Sequence, residues 1–402
     1  MIKKTPSDFC VDEVLAEDLT KLTSSSGPYA LYRLSKESLA TPEAIGQISR
    51  ELKLPARAFA YAGLKDKHAR TTQHITLKME EAKDAAVPEK VKTAHWALDR
   101  MGYVPRSITA SDIQNNRFKI TVRGLTVEAS EDIDEAKKLL STPENPNTLR
   151  VVNYFGDQRF GSARHGRGFI ARLLCKGDFE GALMLAIATE SRKDRMEIKD
   201  FKRKIRTGWG QWREILPKLR PCPERKAVER LAQSSGDFRA AFCALPYLLQ
   251  QLSVYAYQSH IWNATARSMI ERLCTPLGKV LVAEDDFGDM LFPEREATPK
   301  ELFDLDLPLL AKKTELIEPW KIDAENVLQA EGLKVEELHI PGVRRPFFGE
   351  EPRRLFFPVA EFQAGPPVVD ELSSDKMRRK RIVSFLLPRG SYATVVLRAL
   401  GQ

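Results

Sequence analysis

Apolar and polar residues alternate from Phe9 to Val14 in DFCVDEV, the two-residue period of a half-buried strand. A turn at SSSGP leads into a second alternating run, with Tyr29, Leu31 and Arg33 against Ala30, Tyr32 and Leu34. TPEAIGQISRELKL then changes to a helical period. Thr41 is placed as an N-cap and Pro42 at the first helical position, and Ala44, Ile45, Ile48 and Leu52 form the apolar stripe. Strands are expected again at HITLKM and NRFKITVRGL. In the second, Phe118, Ile120 and Val122 face one way and Lys119, Thr121 and Arg123 the other. SEDIDEAKKLLS reads as a helix, and the Pro/Asn-rich TPENPNTLR after it sets a boundary near residue 150.

Beyond that boundary the texture is different. From about Arg167 to Leu273 the period is helical, with Leu245, Leu248, Leu249 and Leu252 on one face and Trp262, Ala266, Met269, Ile270 and Leu273 on another. Residues 284–337 lean acidic and predict loops with short helices. RIVSFLLPRGSYATVVLRAL returns to a strand, a turn, and a helix from Tyr392. Strands at both ends with helices between them predict one sheet domain made from two chain segments and interrupted by an insertion.

The 402 residues, 43% of them hydrophobic and 29% charged, are enough for two domains with ample cores. A net charge of +8 suits a polyanionic partner without requiring one. Cys10, Cys175, Cys222, Cys243 and Cys274 are widely spaced and include no C-x-x-C pair, which favours reduced thiols over a disulfide framework or cysteine zinc site. The six histidines show no zinc spacing. No apolar run matches a signal peptide or a membrane span, so a cytoplasmic protein without membrane contact is expected.

Two tempting motifs fail. GSARHGRG has Arg167 and Gly168 where a phosphate loop needs Lys and Ser or Thr, and DDFGD at 285–289 has no catalytic loop to accompany it. Residues 191–206 hold eight basic residues against three acids, and KMRRKR at 376–381 is denser still. Each is either a solvated, ion-paired surface or a phosphate-tracking one. In NYFGDQRFGSARHG, Tyr154, Phe155 and Phe160 lie among Arg159, Arg164, Gly156 and Gly161. The pattern suits base stacking, but the residues alone favour core packing. YAGLKDKHARTTQ sets a single acid, Asp66, among Lys65, Lys67, His68 and Arg70. Such an acid is either an ion-paired turn or a working carboxylate held ionised by its neighbours.

Taken in order, IKKTPSDFCVDEV, AGLKDKHARTTQ, NNRFKI, NYFGDQRFG, AYQSHIWN and LPRGSYATVVLRAL resemble the TruD-type pseudouridine synthase family from about residue 2 to 400. Residues 275–335 carry no matching motif. The resemblance implies an α+β fold. A catalytic domain with a mainly antiparallel sheet and flanking helices would be built from residues 1–150 and 350–402. A helix-rich α+β TRUD domain would be inserted at 150–350, and a basic cleft between the two would receive RNA.

It also implies isomerisation of a uridine in tRNA, usually at position thirteen, by a monomer that needs no cofactor and no metal. Asp66 matches the family's nucleophile, attacking C1′ or taking a proton from C2′, with Gly63 allowing the chain to turn ahead of it. Asn116, in NNRF, matches a substrate-binding amide. Phe9, Phe118 and Tyr392 match aromatic residues around the base, and Lys3 matches the basic partner of the nucleophile. An RNA-binding or RNA-chaperone protein that keeps the fold without catalysis is the alternative. A hydrolase is disfavoured, because no second acid stands near Asp66 in sequence.

Overall fold

The alternating runs form strands. They are β1 (Phe9–Leu15), β2 (Tyr29–Glu37), β3 (Phe59–Tyr61), β4 (Arg70–Lys78), β5 (Lys90–Lys92), β6 (Trp96–Val104), β7 (Ile113–Leu125), β8 (Leu149–Val152), β9 (Val280–Ala283), β10 (Met290–Pro293), β11 (Phe356–Ala364), β12 (Val368–Val369) and β13 (Arg379–Pro388). The computed structural model describes residues 2–82, 87–163, 165–192 and 194–402. Arg164 and Lys193, within two of the stretches singled out above, lie outside the described residues. Contacts divide the chain into two compact units, Met1–Val151 with Phe357–Gln402, and Val152–Phe356.

The first unit is built on a sheet of order β5-β6-β2-β4-β1-β7-β13-β11-β8, with β3 against β4 and β12 against β13. β1 and β4 run parallel, whereas β1–β7, β7–β13, β2–β4 and β2–β6 are antiparallel. The result is a mixed α+β fold with a largely antiparallel sheet and flanking helices. Helix Thr41–Glu51 buries Ala44, Ile45 and Ile48 among Tyr32, Leu34, Ile75, Leu77 and Leu98. A smaller cluster of Leu15, Leu19, Leu31, Val104, Ile108 and Ile113 packs separately. Helix Val127–Leu140 begins at Thr126, whose hydroxyl accepts the Ala129 N–H. This helix and β13 are joined by Arg381, which donates to both oxygens of Asp134 at 2.7 and 2.8 Å.

One local expectation is corrected here, and one residue of the polar face proves to be buried. Thr41 does not cap the helix; Ala40 does, and the Thr41 hydroxyl is used elsewhere. Arg123 does not face water. It is buried against Asp8 and Asp370, at 2.9 and 2.7 Å, because a guanidinium can enter the interior when its donors are matched by carboxylates.

The second unit is helix-rich around Tyr247–Leu273. Trp262, Ala266, Met269 and Ile270 are buried, as their spacing predicts. The other leucine set is divided: Leu245 is buried, whereas Leu248 is 69% and Leu252 44% exposed. Gln250 turns inward instead, donating to the Cys243 and Leu245 carbonyls at the end of the preceding helix. Tyr154, Phe155 and Phe160 are core residues, as the sequence alone favours. Asn263 holds Phe155 by both its N–H and its C=O, at 2.8 and 3.0 Å. Residues 284–337 include helix Lys321–Glu331 and strand β10, paired antiparallel with β9. Among the described residues no helix is long and apolar enough to cross a membrane.

Candidate active site

The site grows from one face of the sheet. In the β1–β7 register Phe9 pairs with Ile120, Val11 with Phe118, and Glu13 with Asn116. In the β7–β13 register Phe118 pairs with Phe385 and Asn116 with Leu387. Residues two apart on a strand share a face, so Asn116 and Phe118 stand on the same side as Phe9, Val11 and Glu13. The rings form a row. Phe9 meets Phe118 edge-on at 6.0 Å, and Phe118 stacks on Phe385 at 5.6 Å.

Asp66 comes from the loop between β3 and β4, which is held at several points. The Lys65 N–H donates to the Thr41 hydroxyl at 3.0 Å, and that hydroxyl donates to Gln73 Oε1 at 2.8 Å. Lys36 Nζ, which is buried, donates to the carbonyls of Leu39 and Asp66 at 2.6 and 3.1 Å. Burial pushes the Lys36 ammonium down to about 8, a shift that the charge of Asp66 opposes and that of Lys65 reinforces. Gly63 contributes no special conformation. Its φ is not in the left-handed region, and a Cβ there would meet open space. The turn ahead of Asp66 therefore does not depend on glycine.

The Asp66 side chain is 31% exposed, and Lys3 Nζ donates to its Oδ2 at 2.7 Å. Lys3 itself has a left-handed backbone, φ 63°, and its ammonium lies 3.9 Å from the centre of the Phe9 ring. Phe9 is 3% exposed, so its visible work in this conformation is to support Lys3. The cations nearest Asp66 in sequence reach other carboxylates: Lys65 to Glu13 at 3.0 Å, Lys67 to Glu43 at 2.8 Å, and Arg70 to Glu37 at 3.7 Å. Lys3, remote in sequence, supplies an ammonium that touches Asp66.

Lys65 also donates to Asn116 Oδ1 at 2.5 Å. It thus ties the loop to β1 and β7 at once. Glu13 is buried, and its Oε2 accepts the His74 N–H at 2.7 Å. Burial would raise its pKa, but the hydrogen bonds from His74 and the Lys65 ammonium outweigh that and hold it below the usual carboxylate range. Tyr392, half-buried, stands at the N-terminus of helix Ala393–Ala399, just past Pro388, which pairs with Asn115. The structure thus brings Lys3, Phe9, Asp66, Asn116 and Phe118 onto connected elements of one sheet, with Tyr392 just past the C-terminal end of β13.

Glu13, Lys36, Thr41 and the role of Lys65 escape a reading by motif. A signal was present for two of them. Glu13 continues the apolar face of Phe9 and Val11, and Lys36 continues that of Tyr32 and Leu34. A charge at such a position must be paired. Among the described residues no group of three or more His, Cys, Asp or Glu side chains could hold a metal ion.

A partly exposed carboxylate gripped by an ammonium sits on a loop tied through Lys65 to a strand that bears a half-exposed amide and ring, an arrangement suited to a planar polar heterocycle. Comparison with known proteins gives that chemistry a family. The family model for tRNA pseudouridine synthase D (TruD) matches residues 1–400. A protein of Aquifex aeolicus named tRNA pseudouridine synthase D is 30% identical over 410 residues, covering 99% of this chain and 97% of its own. The probable tRNA pseudouridine synthase D 1 of Methanococcus maripaludis is 29% identical over 400 residues, 97% of this chain and 96% of its own. The crystal structure of the putative tRNA pseudouridine synthase D from Methanosarcina mazei shares the fold, with a TM-score of 0.71 at 24% identity, covering 99% of this chain and 92% of that one. The chain belongs to the TruD family of tRNA pseudouridine synthases.

Proposed function

We propose that this protein converts a uridine of tRNA, position thirteen by the family's habit, to pseudouridine, with Asp66 as the nucleophile. The reaction breaks the N1–C1′ bond, turns the uracil over, and forms C5–C1′. The C5 proton is lost to water and N1 is protonated, so no electrons leave or enter. Asp66 attacks C1′ or removes the C2′ proton. Lys3 holds and aims it, and as a positive partner it steadies charge that develops on the carboxylate when the bond to it breaks. Phe118 and Tyr392 offer faces to the extruded base, and Asn116 a polar contact. The enzyme acts without a cofactor, as a monomer in the cytoplasm.

The observation that carries this reading is the 2.7 Å contact of Lys3 with a partly exposed Asp66, on a loop fixed to the strand that bears Asn116 and Phe118. The test is incubation with tRNA labelled with tritium at uridine C5. Release of label to water at one uridine supports isomerisation. Tight binding without release leaves an RNA-binding protein, and free uracil indicates hydrolysis.

A further inference from the structure

We infer that Asn116 recognises the target nucleotide as a hydrogen-bond donor, to an oxygen acceptor of the uridine, and that Glu13 and Lys65 are positioning residues which impose that orientation. The inference rests on the reading of Asp66 as the nucleophile and adds to it a direction for the polar contact.

An Asn side chain can face a ligand with its carbonyl or its amino group, and the two select opposite partners. Here the choice is made by chemistry. The Lys65 ammonium has only donors, so the Asn116 atom 2.5 Å from it is Oδ1. That leaves Nδ2, with two N–H donors, as the other polar end of a half-exposed residue. Lys65 cannot simply swing away from Asn116. Its ammonium is 3.0 Å from Oε1 of Glu13, its side chain is only 12% exposed, and its N–H is tied to Thr41.

Glu13 is in turn fixed by the His74 N–H and stands opposite Asn116 in the β1–β7 register. The chain Glu13–Lys65–Asn116 therefore spans two strands and the Asp66 loop. The residue after Lys65 is the proposed nucleophile, so one ammonium sets the amide and the carboxylate loop together. The natural complement of the Asn116 amino group is an oxygen with a lone pair: a uracil carbonyl or a ribose hydroxyl oxygen. The uracil N3–H, a donor, would meet another donor and be refused.

Asn116→Asp separates this role from a packing role. It keeps size and keeps an oxygen for Lys65, but removes the donors. The expected result is a loss of about 10²-fold in kcat/KM with tRNA, the scale of one missing donor to a reacting group, at unchanged melting temperature. Activity within about threefold of wild type overturns the inference.

Substrates carrying 2-thiouridine, 4-thiouridine or 2′-deoxyuridine at the target position tell which oxygen is bound. A weakened acceptor lowers kcat/KM with the native protein and has no further effect on Asn116→Asp. Equal turnover of all three overturns the inference. Glu13→Gln is expected to cost about tenfold alone but less than about twofold in an Asn116→Ala background, because positioning residues have nothing left to position. Fully additive losses overturn the Glu13 role, and Lys65→Met in the same background gives the same comparison if Glu13→Gln does not fold. Asp66→Asn is the control. If it stays active, the reading of the nucleophile fails. If it is inactive while Asn116→Asp is active, only the present inference fails.

Discussion

At the scale of single residues, the difference between Asp66 and Asp112 is instructive. Asp66 is open enough for a substrate to reach, and the Lys3 ammonium touches it. Asp66→Ala is expected to abolish product formation while tRNA affinity changes little, because binding is spread over many phosphate contacts and chemistry rests on one carboxylate. Turnover within about tenfold of wild type, roughly 1.4 kcal/mol of barrier, would exclude it as the nucleophile. Asp112 is nearly buried, paired through both oxygens with Arg106 at 2.5 and 2.7 Å, and also accepts the Thr109 N–H and hydroxyl. Arg106 first, then the bonds from Thr109, hold it down at about 2 against a burial effect that opposes them. A depressed acid stabilises the fold at pH values above its unfolded value, near 3.8, and loses that contribution as pH falls through 2. Asp112→Asn should therefore cost roughly 2 kcal/mol at neutral pH and flatten the acid limb of a stability–pH curve between about pH 4 and 2. An unchanged acid limb would show that the pair contributes nothing net.

At the scale of elements, β7 carries two kinds of aromatic work that thermal and kinetic measurements can separate. Phe118 is half-buried and meets Phe9 and Phe385. Phe9 is enclosed beneath Lys3. Phe118→Leu and Tyr392→Leu keep apolar bulk but lose the ring. They should lower turnover more than they lower melting temperature, as a stacking contact worth about 1–3 kcal/mol requires. Phe9→Leu should lower both, because it removes core volume and the ring under Lys3 together. Variants of Phe118 and Tyr392 that melt early yet turn over normally would make those rings structural. The strands themselves were legible in sequence: the alternation in DFCVDEV and NRFKITVRGL marks β1 and β7, and the helix from Thr41 starts within one residue of its expected place. What was not legible is what the register creates. Glu13 meets Lys65 and Asn116 only because β1 lies between β4 and β7, and local sequence holds no record of that order. The exposure of Leu248 and Leu252 has a related reason. Gln250 is drawn inward by the Cys243 and Leu245 carbonyls at the end of the preceding helix, a tertiary demand that outweighs the local pattern.

At the scale of the whole molecule, an excess of positive charge has to be divided between holding the protein together and holding RNA. The basic stretches are less alike than they look in sequence. Along helix Met196–Thr207, Lys202 pairs with Asp194, Lys204 with Asp200, and Arg203 and Arg206 with Glu190, which marks much of that run as an ion-paired surface. In KMRRKR, Arg381 is buried and serves Asp134, Ser130 and Gly365, while Lys380 pairs with Glu371 at 2.6 Å and Arg378 with Asp375 at 3.3 Å. Arg381 is thus removed from any set of RNA-facing cations, contrary to the reading of that stretch as one uniform surface. Lys376 remains exposed, and Arg379 half-exposed. Arg381→Met should cost about 3 kcal/mol of stability, toward the lower end for a broken buried pair because Asp134 is itself solvated. Replacing Lys376 and Arg379 by Ala should leave melting nearly unchanged. If both residues neutralise phosphates, the double replacement should also make the slope of log affinity against log salt shallower by about 2, one for each phosphate that is no longer neutralised. An unchanged slope would assign these two residues to the solvated surface as well and move phosphate binding to other cations of the chain.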